Sequence, residues 1–236
     1  MNLVAIDTET GGAGPNQCET HAMIQLGAYY RTADGTGHRF CVSILPAARL
    51  IIDPRAAAVN GYSPEEWERR SAVSEQVAVI RFFQFILEAR WRLDSPDRRI
   101  RFLAHNAGHD QGFLNSMLDR CGFMDEVYAP RDILATSDAP AAARWQCSQS
   151  AMGLIRDAGI IDTPGVSLDD GLAWMTGRTK AEVVAARGTH DAGADAKSAW
   201  LLYHHMVATL IDIRANAAQY AAILAAPFGD ESAALR

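Results

Sequence analysis

The chain opens on an apolar run, Leu3 to Ile6, that passes into Asp7, Thr8, Glu9 and Thr10 and then Gly11 and Gly12, the pattern of a buried strand ending in a loop. Strand-like segments are predicted at 2–7, 23–31 and 38–45, set apart by the Gly-rich loop 11–16 and the hairpin-type turn ADGTG at 33–37. Periodicity over 73–91 predicts an amphipathic helix with Val73, Val77, Ile80 and Phe83 or Phe82 turned inward. The segment LDSPDRR at 93–99 reads as a polar loop, followed by a strand over 100–105, a helix from 109 and a short strand near 131–135. TSDAPAAAR breaks the pattern, and helical stretches near 147–158, 167–176 and 192–213 follow it. These elements make one α/β domain over 1–214, with an Ala-rich helix or tail at 215–236 and no internal repeat.

Several acids sit where these patterns call for apolar residues. Strand side chains alternate faces, so Asp7 and Glu9 project to the same side near the strand's end. Two carboxylates that close repel each other unless a cation lies between them, and an all-oxygen set suits Mg²⁺ or Mn²⁺ better than zinc. After IRFLAH, Asn106 can cap a helix in which Asp110 shares its stripe with Phe113, Leu114 and Met117. In the late helix Asp195 falls in register with Ala199, Leu202, Met206 and Ile213. A carboxylate facing a core is costly unless it is paired or metal-bound, and here it happens twice. His190 lies five residues before Asp195, off the helical register, in a loop marked by Gly188 and Thr189. From there its imidazole can reach the acids and take a proton from water.

With these residues the chain resembles the DEDDh 3′-to-5′ exonucleases, the branch of the ribonuclease-H-like superfamily that includes proofreading subunits, ribonuclease T and oligoribonuclease. The resemblance spans about residues 3 to 210 and also takes in MIQLGAY at 23–29, IIDPRAAAVNGYSPEEW at 51–67, AHNAGHDQGFL at 104–114 and HDAGADA at 190–196. It implies a ribonuclease-H-like mixed β-sheet flanked by α-helices. Carried over residue by residue, Asp7, Glu9, Asp110 and Asp195 resemble the metal-binding acids and His190 the general base. Thr10, at the start of the loop after Glu9, resembles the stretch that packs against the terminal nucleotide, and Asn106 is a second candidate for substrate binding. In this reading two divalent ions, Mg²⁺ or Mn²⁺, serve hydrolysis. Asp7, Glu9 and Asp195 hold the first, and Asp7 holds the second, with Asp110 reaching it through water. The chain departs from the family at His109, where Phe is usual, at Gln25, where Glu is common, and at Asn60, where His is common.

The activity so implied is release of 5′-mononucleotides from the 3′ end of single-stranded DNA. An exoribonuclease, an oligoribonuclease and a catalytically silent interaction module are the alternatives. The implied partner is a nucleic-acid 3′ end, DNA favoured and RNA open, and a polymerase or a second copy of the chain is compatible with it.

Bulk properties narrow the setting. The 236 residues can bury a sizeable core, and 49% hydrophobic with 21% charged residues is an ordinary globular balance. No run is long and apolar enough to span a membrane, and MNLVAID leads straight into a strand, which argues against a signal peptide. Cys18, Cys41, Cys121 and Cys147 are widely spaced without C-x-x-C, which favours reduced thiols in a cytoplasm over zinc ligation. A net charge of −6 argues against a long basic track and for a short footprint at a strand end. Arg69 and Arg70, Arg90 and Arg92, and Arg98, Arg99 and Arg101 form small basic groups that read equally well as solvated helix ends. Tyr29, Tyr62 and Trp67 are candidates for base stacking, with core packing the alternative.

Overall fold

Strand β1 (Leu3–Thr10) lies at the centre of a five-stranded sheet, between β2 (Met23–Arg31) and β4 (Arg101–Ala104), with β3 (Gly37–Ser43) and β5 (Trp145–Cys147) outermost. The computed structural model describes residues 2–12, 14–93, 100–123, 145–188 and 190–216. β1, β2 and β3 pair antiparallel, whereas β1 with β4 and β4 with β5 run parallel, so the sheet is mixed. β1 continues three residues beyond the expected end at Asp7. Thr10 therefore belongs to the strand and not to the following loop, and the register slips between Glu9 and Thr10.

Val4 and Ile6 face an aromatic-rich core built from the 18-residue helix α3 (Glu75–Arg92) and from α4 (Ala107–Arg120). α3 buries Ala78, Val79, Phe82, Phe83, Ile86 and Ala89, and leaves Val77 and Ile80 exposed. The expected inward face is thus corrected. Ser74 caps the helix by accepting from the Val77 N–H, so Val73 packs against the core from outside the helix. Of the two apolar stripes the helix carries, the one holding both Phe82 and Phe83 buries more area and wins.

The segment 51–67 folds into α1 (Pro54–Asn60) and α2 (Pro64–Arg69), started by Asp53 and Ser63 as caps with proline at the first helical position. α5 (Ser148–Asp157), α6 (Leu168–Thr176), α7 (Lys180–Arg187) and α8 (Ala192–Ala215) follow. The chain divides into two compact units at Leu202, and the first carries the sheet and every residue of the candidate site. The described part of the second is the end of α8 from Tyr203 with Asn216. The expected strand near 131–135, the breaker TSDAPAAAR, most of LDSPDRR with Arg98 and Arg99, and the tail from residue 217 lie outside the described residues. Among the described residues no helix is long and apolar enough to cross a membrane, and all four cysteines are free thiols.

Candidate active site

Alternation along β1 puts Asp7 and Glu9 on the face shared with Leu3 and Ala5, opposite the aromatic core. Asp7 is half-buried and Glu9 buried. α4 contributes Asp110 from its first turn, on the buried stripe with Phe113, Leu114 and Met117. Its Oδ1 accepts from the Thr8 backbone N–H at 2.9 Å and from the Thr8 hydroxyl at 2.8 Å, which ties the third acid to the residue between the first two. Asn106 occupies the N-cap position of α4, but its side chain makes no capping bond there.

Asp195 arrives from α8, whose start is fixed to the sheet. The Ala192 N–H donates to Gln25 Oε1 at 2.8 Å, and Asp191 Oδ1 caps the helix through the Ala194 N–H at 2.8 Å. Gly27 stands opposite Asp7 in the sheet register, and a Cβ there would come within 2.1 Å of the Ala192 carbonyl carbon. Only glycine allows the helix that close to the first acid. Gln25, where the resembled family commonly has Glu, is thus one side chain that anchors this helix, and Arg39 of β3, paired with Asp191, is another.

His190 precedes α8, outside regular structure and 41% exposed. Its Nδ1 lies 3.4 Å from Asp195 Oδ2 and 3.8 Å from Glu9 Oε1. Ligand-capable atoms of Glu9, His190 and Asp195 all fall within 4.8 Å of one another. Burial, then Asp110, Glu9 and Asp195, raise the Asp7 pKa well above the usual carboxylate range. Burial pushes Glu9 up to about 7 against the opposing pull of His190, and pushes Asp110 up to about 7 against the two Thr8 hydrogen bonds. The hydrogen bond to Asp195 raises His190. Glu9 Oε1 is buried without a hydrogen-bond partner. An orphaned carboxylate oxygen among carboxylates that resist ionisation is a site short of positive charge, and it fits divalent cations.

The four acids and His190 line one cavity of about 230 Å³, together with Thr8, His105, Asn106, His109, Asp169 and Arg187. His105 is buried; its Nε2 donates to the Val166 carbonyl at 2.8 Å and its Nδ1 accepts from Ser148 Oγ at 3.0 Å, which fixes the segment entering α6. A second cavity of about 340 Å³ shares Thr8, Glu9, Asn106, His109 and His190 with the first and adds Thr10, Arg55, Val59 and Asn60. Thr10 and Asn106 therefore both face open space beside the acids. Thr10 is held by its neighbours: its hydroxyl donates to the Gly12 carbonyl at 2.6 Å, and its own carbonyl accepts from Asn60 Nδ2 at 2.9 Å. The Thr10 proton being used, His109 Nε2 at 3.3 Å is the donor of that pair. His109 and Asn60, the other two departures, both brace Thr10.

Sequence reasoning missed Arg187 and Asp169. Arg187 Nη2 lies 2.5 Å from Asp195 Oδ2, and Nη1 pairs with Asp169. No spacing rule links an arginine at a helix end to an acid eight residues on. Trp67 is buried and donates to the Ile24 carbonyl, Tyr62 packs edge-on against it, and Tyr29 packs on Trp200, so these aromatics serve the core. Arg69 and Arg70 pair with Glu66, and Arg92 pairs with Glu88.

No family model matches the chain. Over 132 residues it is 30% identical to ribonuclease T of Shewanella frigidimarina, covering 54% of this chain and 57% of the relative. Ribonuclease T of Shewanella sp. strain ANA-3 is 29% identical over the same length and share. The chain thus spans just over half the length of the curated relatives it matches. Among solved structures, E. coli exonuclease I in complex with a dT13 oligonucleotide superposes with a TM-score of 0.60 at 16% identity, over 94% of this chain and 43% of the other. Apo exonuclease I superposes with a TM-score of 0.60 at 18% identity, over 88% of this chain and 42% of the other. The chain is thus similar in sequence to ribonuclease T over about half its length, and its mixed sheet and helices share the fold of exonuclease I.

Proposed function

We propose that the protein is a metal-dependent 3′-to-5′ exonuclease that removes 5′-mononucleotides from the 3′ end of a single strand, with DNA the favoured substrate. The observation that carries this reading is the convergence of Asp7, Glu9, Asp110, Asp195 and His190 on one cavity that shares part of its lining with a second, larger one. Asp7, Glu9 and Asp195, with Asp110 held by Thr8 beside them, would hold two divalent cations, Mg²⁺ or Mn²⁺. When bound, such ions acidify water and neutralise charge on the leaving oxygen.

The remaining work falls to the chain. His190, at the rim and beside two carboxylates that stabilise its protonated form, accepts the proton of the attacking water. The water oxygen joins phosphorus, the bond to the 3′-oxygen of the preceding nucleotide breaks, and that oxygen takes a proton from solvent. Thr10 and Asn106 border the space for the terminal nucleotide, and Thr10, pinned from three sides, offers a rigid wall there. The dT13 complex of exonuclease I supports a DNA strand as substrate, while the sequence similarity to ribonuclease T favours RNA as the second reading.

A digestion panel tests both. Single-stranded DNA, duplex DNA, RNA and dinucleotides, each 5′-labelled, are incubated with Mg²⁺ or Mn²⁺. A ladder shortening from the 3′ end with mononucleotide product, fastest on single-stranded DNA, is expected. Faster loss of RNA would move the substrate to the second reading, and internal cleavage or no metal-dependent product would refute the exonuclease.

A further inference from the structure

Among the described residues that line the acidic cavity, Arg187 is the one strong cation. It ends α7, immediately before Gly188, which has a φ of 67°. Its side chain is only 18% exposed, and its fork is pinned at two points. One is Asp195 Oδ2, the oxygen that His190 Nδ1 also approaches. The other is Asp169 of α6, which lines the cavity but is none of the four acids. Asp169 is therefore a private counter-ion for the guanidinium.

This arrangement has a consequence for occupancy. A cation that takes Asp195 Oδ2 competes with the guanidinium for that oxygen, and like charges repel across it. Asp169 keeps the displaced guanidinium at the cavity wall. It is then left with unused N–H donors facing the space where an anion must sit, and a planar five-donor fork suits a phosphate. The geometry points to Arg187 as the group that binds the scissile phosphate, exchanging Asp195 for substrate as cations load, with Asp169 as its positioning residue. This rests on the proposed function.

Two substitutions should act in opposite directions. Arg187→Gln removes the competitor, so the metal-free protein should bind Mn²⁺ more tightly in calorimetry, by about fivefold or more. The same variant, loaded with Ca²⁺, should bind thymidine 5′-monophosphate about tenfold or more weakly, and its kcat with Mn²⁺ should fall by about 10²-fold, the range for losing one preorganised donor. Asp169→Asn should weaken Mn²⁺ binding, because the guanidinium then settles wholly on Asp195. Arg187→Lys, which keeps the charge but loses the fork, should fall between wild type and Arg187→Gln in mononucleotide affinity. A strut with no part in binding phosphate would instead lower melting temperature and Mn²⁺ affinity together and leave mononucleotide affinity unchanged; either of these last two results would overturn the assignment. Wild type that binds Mn²⁺ but releases no mononucleotide would refute the exonuclease reading alone, since the Mn²⁺ and mononucleotide affinities still decide the role of Arg187.

Discussion

Asp110→Asn should stabilise the metal-free protein while abolishing its activity. Both Thr8 hydrogen bonds fall on Oδ1, which asparagine retains, so the substitution removes the charge without breaking the local network. Burial raises the Asp110 pKa from 3.8 to about 7, and that difference corresponds to about 4 kcal/mol of cost for holding the ionised form in the folded state. The native pKa lies above the unfolded one. Stability linked to this group is therefore intact below pH 3.8 and is lost progressively as pH rises to about 7, because only the unfolded chain releases the proton over that interval. Asp7 and Glu9 crowd the same space and share the cost, so the variant should recover about 2–4 kcal/mol at pH 8, or about 5–15 °C in Tm for a chain of this size. At pH 4 the gain should nearly vanish. Thermal melts in chelator at pH 4, 6 and 8 check the trend, and addition of Mg²⁺ should stabilise wild type more than the variant. A variant less stable than wild type at pH 8, or a gain independent of pH, would mean that the Asp110 charge is compensated by the protein and would refute the reasoning.

Asp7→Ala should reduce hydrolysis to below a few per cent of wild type and hold or raise the metal-free melting temperature, since Asp110, Glu9 and Asp195 all oppose its ionisation; steady-state rates and melts check this. His190→Ala should lower kcat by about 10²- to 10⁴-fold with metal affinity nearly unchanged, and raising pH should partly rescue it; loss of Mn²⁺ binding in calorimetry would make His190 a ligand instead. With a net charge of −6 and a short footprint, the slope of log affinity against log salt should be shallow, about −2 to −4, and a 3′-phosphate should block digestion. A steep slope measured by fluorescence anisotropy, or comparable digestion of circular single strands, would reveal an extended groove.

Asp110 and Asp195 were legible in the sequence as candidate-site acids because each breaks a local rule. Asp110 and Asp195 occupy buried stripes whose other members are Phe113, Leu114 and Met117, and Ala199 and Leu202. β2 was legible as well, since apolar residues fill it almost throughout. The inward face of α3 was not, because Val77 and Ile80 compose one apolar stripe and Phe82, Phe83 and Ile86 another, and only tertiary packing selects between them. α1, α2 and α7 escaped the periodicity for being short, although Asp53-Pro54, Ser63-Pro64 and the Thr179…Glu182 capping box each announce a helix start. The pairing of Arg187 with Asp169 and Asp195 joins three helices, and nothing local in any of them encodes it.

The proposed hydrolysis requires that the acids of β1, α4 and α8 hold two cations together. Anomalous diffraction from crystals soaked in Mn²⁺ and thymidine 5′-monophosphate measures this directly. Two peaks about 3.5–4 Å apart are expected, both in contact with Asp7 and one also reaching Glu9 and Asp195. A single peak held by Glu9, His190 and Asp195 with Asp7 unligated, or no peak in the cavity at all, would contradict it.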